Sequence, residues 1–190
     1  MDQLIKMAMK RDADAFTELI EQNMQSMYKT AWVYLKNDID IADAIQDTIL
    51  ACFENIGTLR NPKYFKTWLT RVLINKCNDI IRKRQYYEKI EVVQFVGQLD
   101  QQFERCEWKE LLSSLEEKYS IVVLMYYYDG LSVKEIGQAL GLNSNTVLTR
   151  LRRARQQLRK ELDEGEMQYN STVQSLEIKK DNSISLRQVL

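Results

Sequence analysis

Cationic side chains are concentrated in one short stretch near the C-terminal end, and their types and spacing suit nucleic-acid binding. Residues 144–160 carry six Lys or Arg and no Asp or Glu, although the 190-residue chain has 27 basic and 27 acidic residues and no net charge. Clustered guanidinium groups bind phosphates and the edges of bases. A second cluster, residues 63–84, has seven basic residues and one acid. The sequence therefore predicts two separate surfaces for a polyanion on an otherwise acidic chain.

Other kinds of chemistry have little support in the composition. The sequence has no His, which is the commonest general base and zinc ligand. It also lacks a Gly-rich phosphate loop and a clustered carboxylate metal site. Cys52, Cys77 and Cys106 stand far apart without a Cys-x-x-Cys pair, so we expect them to be reduced and mostly buried. We expect no catalytic residues, no metal and no cofactor.

The hydrophobic pattern predicts a soluble protein. No run approaches the roughly 18 apolar residues that a membrane span requires. The N-terminal stretch mixes acids with bases and has no apolar core before a cleavage site, so it does not resemble a signal peptide. We therefore expect a cytoplasmic protein with no direct membrane insertion.

Helical periodicity runs through most of the chain and predicts an all-α fold. One Pro and six Gly leave few residues that break helices. The pattern predicts three helices in the first part of the chain: from Asp12 or Asp14 to about Lys36, from Asp38 or Asp40 up to Gly57, and from about Pro62 with an interruption at Asn75 to Asp79. The predicted apolar stripe of the second helix is Ala42, Ile45, Ile49, Ala51, Cys52 and Phe53.

A polar, acidic stretch without sustained periodicity divides these helices into two small domains. We expect a helix bundle at residues 1–84, a flexible linker at residues 85–107 and a second helical domain at residues 108–162. The second domain has the predicted apolar positions Trp108, Leu111, Leu112, Leu115, Ile121, Val122, Leu124, Met125, Tyr126 and Tyr128. Residues 163–190 are rich in Ser, Asn and Gln, and we expect them to form a flexible tail.

The end of the second domain, GLSVKEIGQALGLNSNTVLTRLRRARQQLRKEL, has the spacing of a helix-turn-helix. Gly137 leaves room for close helix contact, and Gly141 can adopt the positive φ of a sharp turn. Asn143 or Ser144 can cap the second helix. The buried stripe of that helix is expected at spacings of four, three and four residues: Val147, Leu151, Ala154 and Leu158.

The face opposite this stripe carries side chains that suit a DNA major groove. At 100° per residue it holds Asn145, Thr149, Arg152 and Gln156, flanked by Leu148, Arg153 and Arg159. Arg reads guanine, Asn reads adenine, and Leu can contact the methyl group of thymine. Arg150 and Arg155 lie nearer the buried stripe and are expected to reach phosphates. The alternative interpretation is a solvated basic face or a helix that binds a partner protein.

Four segments together resemble the extracytoplasmic-function (ECF) subfamily of bacterial σ70-type sigma factors. LSSLEEKYSIVVLMYYYDGLSVKEIGQALGLNSNTVLTRLRRARQQLRKEL resembles their region 4. DADAFTELIEQNMQSMYKTAWVYLKN resembles region 2.1, DIDIADAIQDTILACFENI region 2.2, and FKTWLTRVLINKCNDIIRKR regions 2.3 and 2.4. The segments cover about residues 12–162 in the expected order. The resemblance implies a dissociable RNA polymerase subunit that directs promoter-specific transcription initiation and is not an enzyme.

For region 2.2 the resemblance implies a docking element for a coiled coil of the polymerase β′ subunit. The matching residues are Asp43, Gln46 and Asp47. Spacings of three and four place them on one exposed helix face while Ile45 and Ile49 turn inward. A solvated acidic face, with a capping role for Asp43, is the alternative.

For regions 2.3 and 2.4 the resemblance implies melting of the promoter −10 element and capture of a flipped base in a loop between helices. The matching positions for the base are Asn75, Lys76, Asn78 and Asp79, and those for phosphates are Arg71, Arg82, Lys83 and Arg84. Phe65 and Trp68 could stack on bases, but we favour the core for both because aromatic residues at helical spacing are usually buried.

For region 4 the resemblance implies a reader of the −35 element between Asn145 and Arg153. The predicted −35 contacts are Asn145, Leu148, Thr149, Arg152, Arg153 and Arg155. One position departs from the family, because Leu148 stands where Lys or Arg is common. The −35 preference is therefore expected to be altered.

The resemblance also implies partners. These are core RNA polymerase through its β′ and β subunits, promoter DNA, and an anti-sigma factor, often membrane-anchored. Residues 165–190 have no assignable counterpart and suit either a disordered tail or a contact for a regulator. The alternative function is a free-standing helix-turn-helix regulator that binds an operator as a dimer, which would need a dimer surface and two half-sites.

Overall fold

The computed structural model describes residues 1–90 and 107–164, with side chains for residues 1–86 and 108–160. The chain divides into two compact units, Met1–Leu99 and Asp100–Leu190, so the boundary falls inside the predicted linker. The described ranges contain helices and no strands, which confirms the predicted all-α fold. The expectations for residues 91–106, including Cys106, and for residues 165–190 lie outside the described residues.

The described part of the first unit, residues 1–90, contains four α-helices and two short 3₁₀ turns. They are α1 (Asp2–Met9), α2 (Ala13–Leu35), α3 (Asp38–Asn55), turns at Ile56–Thr58 and Pro62–Tyr64, and α4 (Phe65–Ile90). The Asp12 carboxylate accepts a hydrogen bond from the Ala15 amide at 3.0 Å, which caps α2 as predicted. Helix α3 is capped by Asn37, one residue before the predicted start. Helix α1 was not predicted, and it buries Ile5 and Ala8.

The buried face of α3 differs in phase from the predicted stripe. Ile45 and Cys52 are buried as expected, but Ala42 and Phe53 are exposed, and Thr48 is fully buried instead. The Thr48 hydroxyl donates to the Ala44 carbonyl at 2.6 Å, so its burial leaves no unpaired donor. The prediction that Ala42 and Phe53 are buried was therefore wrong. The phase of the buried face differs because Thr48, a hydroxyl-bearing residue, occupies a core position of this helix.

Helix α4 is continuous over 26 residues, so the predicted interruption at residues 75–79 was wrong. Cys77 is fully buried, and Leu73 and Ile74 before it are also buried. The buried side of the helix thus continues through the polar stretch, in which Asn75 is exposed and Lys76, Asn78 and Asp79 are partly buried. The helix also runs beyond residue 84, where the bundle was expected to end.

The aromatic residues at the start of α4 belong to the core, as we expected. Phe65 is 2 % exposed, and Trp68 packs, partly buried, against the core cluster. Their ring centroids are 6.1 Å apart. The buried Phe65 ring is therefore not available for base stacking.

Where the structure describes the second unit, at residues 107–164, it has four α-helices and one π-helical turn. They are α5 (Glu107–Ser113), α6 (Glu117–Val123), the turn at Leu124–Tyr128, α7 (Val133–Leu140) and α8 (Ser144–Glu164). The buried Ser120 hydroxyl donates to the Leu112 carbonyl at 2.7 Å and joins α6 to α5. Tyr126 and Tyr128 are exposed, contrary to the predicted stripe. A π-helical turn holds more residues than an α-helical turn, so it shifts the phase of the residues within it.

Helices α7 and α8 form the predicted helix-turn-helix hairpin. Ser132 and Glu135 form a capping box at the start of α7. Gly141 ends α7 with a left-handed φ of 67°. A Cβ atom at Gly137 would lie 2.6 Å from the Leu142 carbonyl oxygen, so the turn passes directly over this residue. The absence of a side chain at Gly137 therefore permits the tight turn.

We expect Gly137→Ala to destabilise the second unit by about 2–3 kcal/mol, because its Cβ would collide with backbone rather than with a flexible side chain. Gly141→Ala is the matched control, since nothing lies within 4 Å of its Cβ and only the left-handed φ costs about 1 kcal/mol. Amide hydrogen exchange of the full chain measures both effects within the second unit. Wild-type exchange rates in Gly137→Ala would contradict the steric argument.

The thiols of the two described cysteines have low reactivity. Cys52 and Cys77 are free and buried. Burial raises the pKa of each thiol to about 12, so both thiols are protonated and weakly nucleophilic at neutral pH. For these two residues the expectation of reduced, buried cysteines is confirmed.

Candidate functional site

The predicted docking residues of α3 lie together on one exposed face. Asp43, Gln46 and Asp47 are all exposed, whereas Ile45 is buried and Ile49 is partly buried. The Asn37 side chain, not Asp43, caps the helix, so capping does not explain the acid at position 43. The face therefore offers two carboxylates and one amide to an external partner.

An open cavity of about 500 Å³ joins this face to α4. Its walls come from α3 through Asp40, Asp43, Gln46 and Asp47, and from α4 through Ile80, Lys83 and Arg84. The predicted polymerase-binding residues and part of the predicted −10 set thus border one cavity. The structure brings together two groups of residues that the sequence places about 40 residues apart.

Two ion pairs connect the helices at this cavity. Arg84 pairs with Asp40, and the Lys76 ammonium lies 3.9 Å from the Asp47 carboxylate. Such partly exposed pairs contribute little to stability, because water screens them. Asp40 was missed by the sequence reasoning, although its spacing of three and seven residues from Asp43 and Asp47 places it on the same face.

The predicted −10 residues divide between two sides of α4. Arg71, Asn75, Asn78 and Arg82 recur at four, three and four residues and form one stripe on the side away from the core. Asp79 lies beside this stripe and forms an ion pair with Arg82. Lys76, Lys83 and Arg84 lie on the side toward α3. The predicted loop pocket for a flipped base is therefore absent from the described residues, and the polar groups form a helix surface instead.

An apolar groove beside the acidic face was also missed. A cavity of about 390 Å³ lies between α2 and α3, and Met24, Ile45 and Leu50 contribute to its walls. Gln46 borders both this groove and the polar cavity. Leu50 is 57 % exposed, and its position outside the buried stripe of α3 was a signal that could have revealed the groove.

Helix α8 presents the predicted buried stripe and the predicted outer face. Val147, Leu151, Ala154 and Leu158 are at most 2 % exposed. The outer face carries the exposed residues Asn145, Leu148, Arg152, Arg153, Gln156 and Arg159 and the partly buried Thr149. Arg155, exposed, and Arg150, partly buried, lie at its sides. The Thr149 hydroxyl donates to the Asn145 carbonyl at 2.8 Å. The Asn143 side chain accepts the Thr146 amide at 2.7 Å and caps the helix.

Arg155 lies at the side of α8 near the π-helical turn. Burial raises the pKa of Tyr127, and the positive charge of Arg155 opposes that rise. The Arg155 side chain itself is exposed. Its role in phosphate contact stays a prediction.

In residues 1–90 and 107–164 no group of three His, Cys, Asp or Glu side chains could hold a metal ion. Within the same ranges no helix combines the length and the apolar character of a membrane span.

Comparison with known proteins reveals a consistent family. Residues 19–86 match the family model described as Sigma-70 region 2, and residues 107–158 match the one described as Sigma-70, region 4. The ECF RNA polymerase sigma factor SigW of Bacillus subtilis is 30% identical over 176 residues, covering 83% of this chain and 94% of that protein. The RNA polymerase sigma factor SigV of the same organism is 29% identical over 146 residues, covering 75% and 88%.

Solved structures share the fold. CnrH in complex with the cytosolic domain of CnrY matches with a TM-score of 0.62 and 23% identity, covering 86% of this chain and 97% of that chain. The sigma factor RpoE of Bartonella quintana, in complex with the anti-sigma factor NepR, matches with a TM-score of 0.64 and 20% identity, covering 78% and 96%.

The two helical units, the helix-turn-helix and the two matched regions define the class of σ70-type RNA polymerase sigma factors. Within that class the chain belongs to the ECF subfamily and is an RNA polymerase sigma factor. Members of this family are transcription initiation factors. The alternative of a free-standing helix-turn-helix regulator is not favoured, because region 2 accounts for the first unit.

Proposed function

We propose that the chain binds core RNA polymerase through the outer face of α3 and promoter DNA through α4 and α8. The proposed contacts to the β′ subunit are Asp43, Gln46 and Asp47. The proposed −10 contacts are Arg71, Asn75, Lys76, Asn78, Asp79, Arg82, Lys83 and Arg84. The proposed −35 contacts are Asn145, Leu148, Thr149, Arg152, Arg153 and Arg155. Residues 1–84 act at the −10 element and residues 108–162 at the −35 element.

The outer face of α8 is the observation that carries this proposal. It combines three exposed arginines, Arg152, Arg153 and Arg159, with a fully apolar inner stripe and a glycine-ended turn. A helix-turn-helix places such a face in the major groove, where guanidinium groups hydrogen-bond to guanine and to phosphates. Residues 19–86 of the first unit match the Sigma-70 region 2 model. This match supports a division of promoter contacts between a surface on the first unit and the outer face of α8.

The proposed −10 contact is made by a helix surface and not by the loop expected from the sequence. Because α4 is continuous, its outer stripe from Arg71 to Arg82 would lie along the DNA, with Asn75 and Asn78 between the cations. Lys83 and Arg84 border the cavity shared with α3, and Lys76 pairs with Asp47 of that helix, so these three cations would contact DNA only where it passes over the side of α4 that faces α3. The continuous helix offers a surface and no loop pocket for a base flipped from the stack. Such a base would therefore bind to groups outside the described surface of α4, or α4 would rearrange to hold it.

The remaining expectations concern partners, catalysis and location. We infer that an anti-sigma factor binds the chain, and the similarity to RpoE, which was solved in complex with the anti-sigma factor NepR, supports this. We further infer that the chain acts through core polymerase with no catalytic activity, cofactor or metal of its own, and that it works in the cytoplasm beside the chromosome. The β subunit is the second polymerase contact that we propose.

In vitro transcription on genomic templates tests the proposed function. We expect core polymerase with the full chain to initiate at a discrete set of sites that core polymerase alone does not use. A variant with Arg152→Ala and Arg153→Ala lacks two proposed −35 contacts and should lose most of these transcripts. Identical transcripts with and without the wild-type chain would overturn the proposal.

A further inference from the structure

An exposed leucine interrupts the polar outer face of α8. Leu148 is 50 % exposed, and it lies three residues after Asn145 and four residues before Arg152. Side chains at these spacings are neighbours on a helix. An isolated exposed leucine is common on protein surfaces and needs no explanation by itself. Leu148 differs because both of its neighbours along the helix are side chains that can hydrogen-bond to base edges.

The chemistry of leucine limits what it can recognise in a major groove. It neither donates nor accepts a hydrogen bond, so it cannot pair with the polar edges of guanine, adenine or cytosine. It carries no charge, so it cannot neutralise a phosphate. Thymine is the one base that presents a methyl group in the major groove, at C5. An exposed apolar side chain between hydrogen-bonding neighbours therefore complements a thymine methyl.

We propose that Leu148 determines specificity at the −35 element by packing against the C5 methyl group of one thymine. This inference rests on the proposed placement of α8 in the major groove. Asn145 and Arg152 on either side would hydrogen-bond to the flanking bases and fix the position of the leucine. A thymine at one −35 position would thus be preferred over cytosine, which has only hydrogen at C5.

A double-mutant cycle, in which the Leu148 side chain and the thymine methyl group are removed singly and together, tests this inference. Holoenzyme is assembled from core polymerase and the full chain, as wild type or as Leu148→Ala. Each thymine of a −35 element, obtained by selecting promoters with the wild-type holoenzyme, is replaced singly by deoxyuridine, which lacks only the methyl group. At one position we expect the wild type to lose affinity about three- to fivefold and Leu148→Ala to lose none.

The complementary substitution adds a methyl group. When that thymine is replaced by cytosine, 5-methylcytosine should bind the wild-type holoenzyme about three- to fivefold more tightly than cytosine, and Leu148→Ala should not distinguish the two. Gln138→Ala removes an exposed, uncharged side chain from α7 of the same unit. This control should keep the full effect of deoxyuridine.

Two results would overturn the inference. One is an equal effect of deoxyuridine in wild type and Leu148→Ala at every −35 position, and the other is a selected −35 element without thymine. The Arg152→Ala/Arg153→Ala variant separates this failure from that of the proposed function. If the arginine variant loses promoter affinity while no thymine couples to Leu148, only the role of Leu148 fails. If the arginine variant binds promoters normally, the placement of α8 fails as well.

Discussion

Removing both carboxylates from the outer face of α3 should weaken binding to core polymerase at least tenfold. Asp43 and Asp47 are exposed on one face, and loss of a charge that is paired in an interface typically costs about 2 kcal/mol or more. We expect the Asp43→Ala/Asp47→Ala variant to show this loss in a fluorescence titration with core polymerase. The fold should persist, because neither side chain contributes to the core cluster.

The control must remove the same charge from another exposed surface. Glu18→Ala/Glu21→Ala does so on α2, and we expect it to bind core polymerase within about twofold of wild type. The single variants are also informative, because Asp47 pairs with Lys76 and Asp43 has no ion pair among the described side chains. Asp43→Ala therefore tests the proposed docking contact without breaking an ion pair of the described residues. A normal Kd for the double variant would contradict the assigned role of this face.

Removing two arginines from α8 should reduce promoter affinity of the holoenzyme about 30-fold or more. Arg152 and Arg153 are both exposed, and each contact to a base or phosphate is typically worth about 1–3 kcal/mol. We expect Arg152→Ala/Arg153→Ala to bind core polymerase normally and to lose affinity for promoter fragments. The dependence of log K on log salt concentration should also become shallower by about one to two units.

A charge-matched control separates these contacts from the general electrostatic field. Lys6→Ala/Lys10→Ala removes two exposed cations from α1 and the residue that follows it. We expect promoter affinity within about threefold of wild type for this variant, since distant charges are screened at physiological salt. If both double variants lost affinity equally, the effect would arise from net charge and not from the outer face of α8.

The helix-turn-helix could be predicted closely from the sequence because its signals are local. Val147, Leu151 and Ala154 recur at strict helical spacing, and all three are buried. Gly141 has the expected positive φ, and Gly137 has the expected close contact. Each of these properties depends on residues within one or two helical turns, so sequence separation does not obscure them.

The errors arose where polar or small residues occupy positions that packing determines. The polar residues from Asn75 to Asp79 suggested a break, but Cys77 alone continues the buried side of α4 through that stretch. In α3 the buried Thr48 hid the true phase, because its hydroxyl is satisfied by its own helix. Helix α1 was missed because its eight residues give only a short apolar pattern.

The exposed helix faces of the candidate site could be predicted from the sequence, but the contacts between its helices could not. The exposed face of α3 followed from the spacing of Asp43, Gln46 and Asp47, and the outer face of α8 followed from a helical projection. The pair between Asp40 and Arg84 joins residues 44 positions apart in the chain. Such pairing depends on how α3 and α4 pack, which local periodicity does not encode. The shared cavity was therefore outside the reach of sequence reasoning.

The continuity of α4 fixes the relative position of two cations on its outer stripe. At about 1.5 Å per residue, Arg71 and Arg82 are about 16 Å apart along the helix axis, which equals the length of about five base pairs. A rigid helix keeps this separation constant. Each added residue would rotate Arg82 by about 100° relative to Arg71 and lengthen the separation by about 1.5 Å. Insertions within this segment therefore change the direction of the second cation far more than its distance.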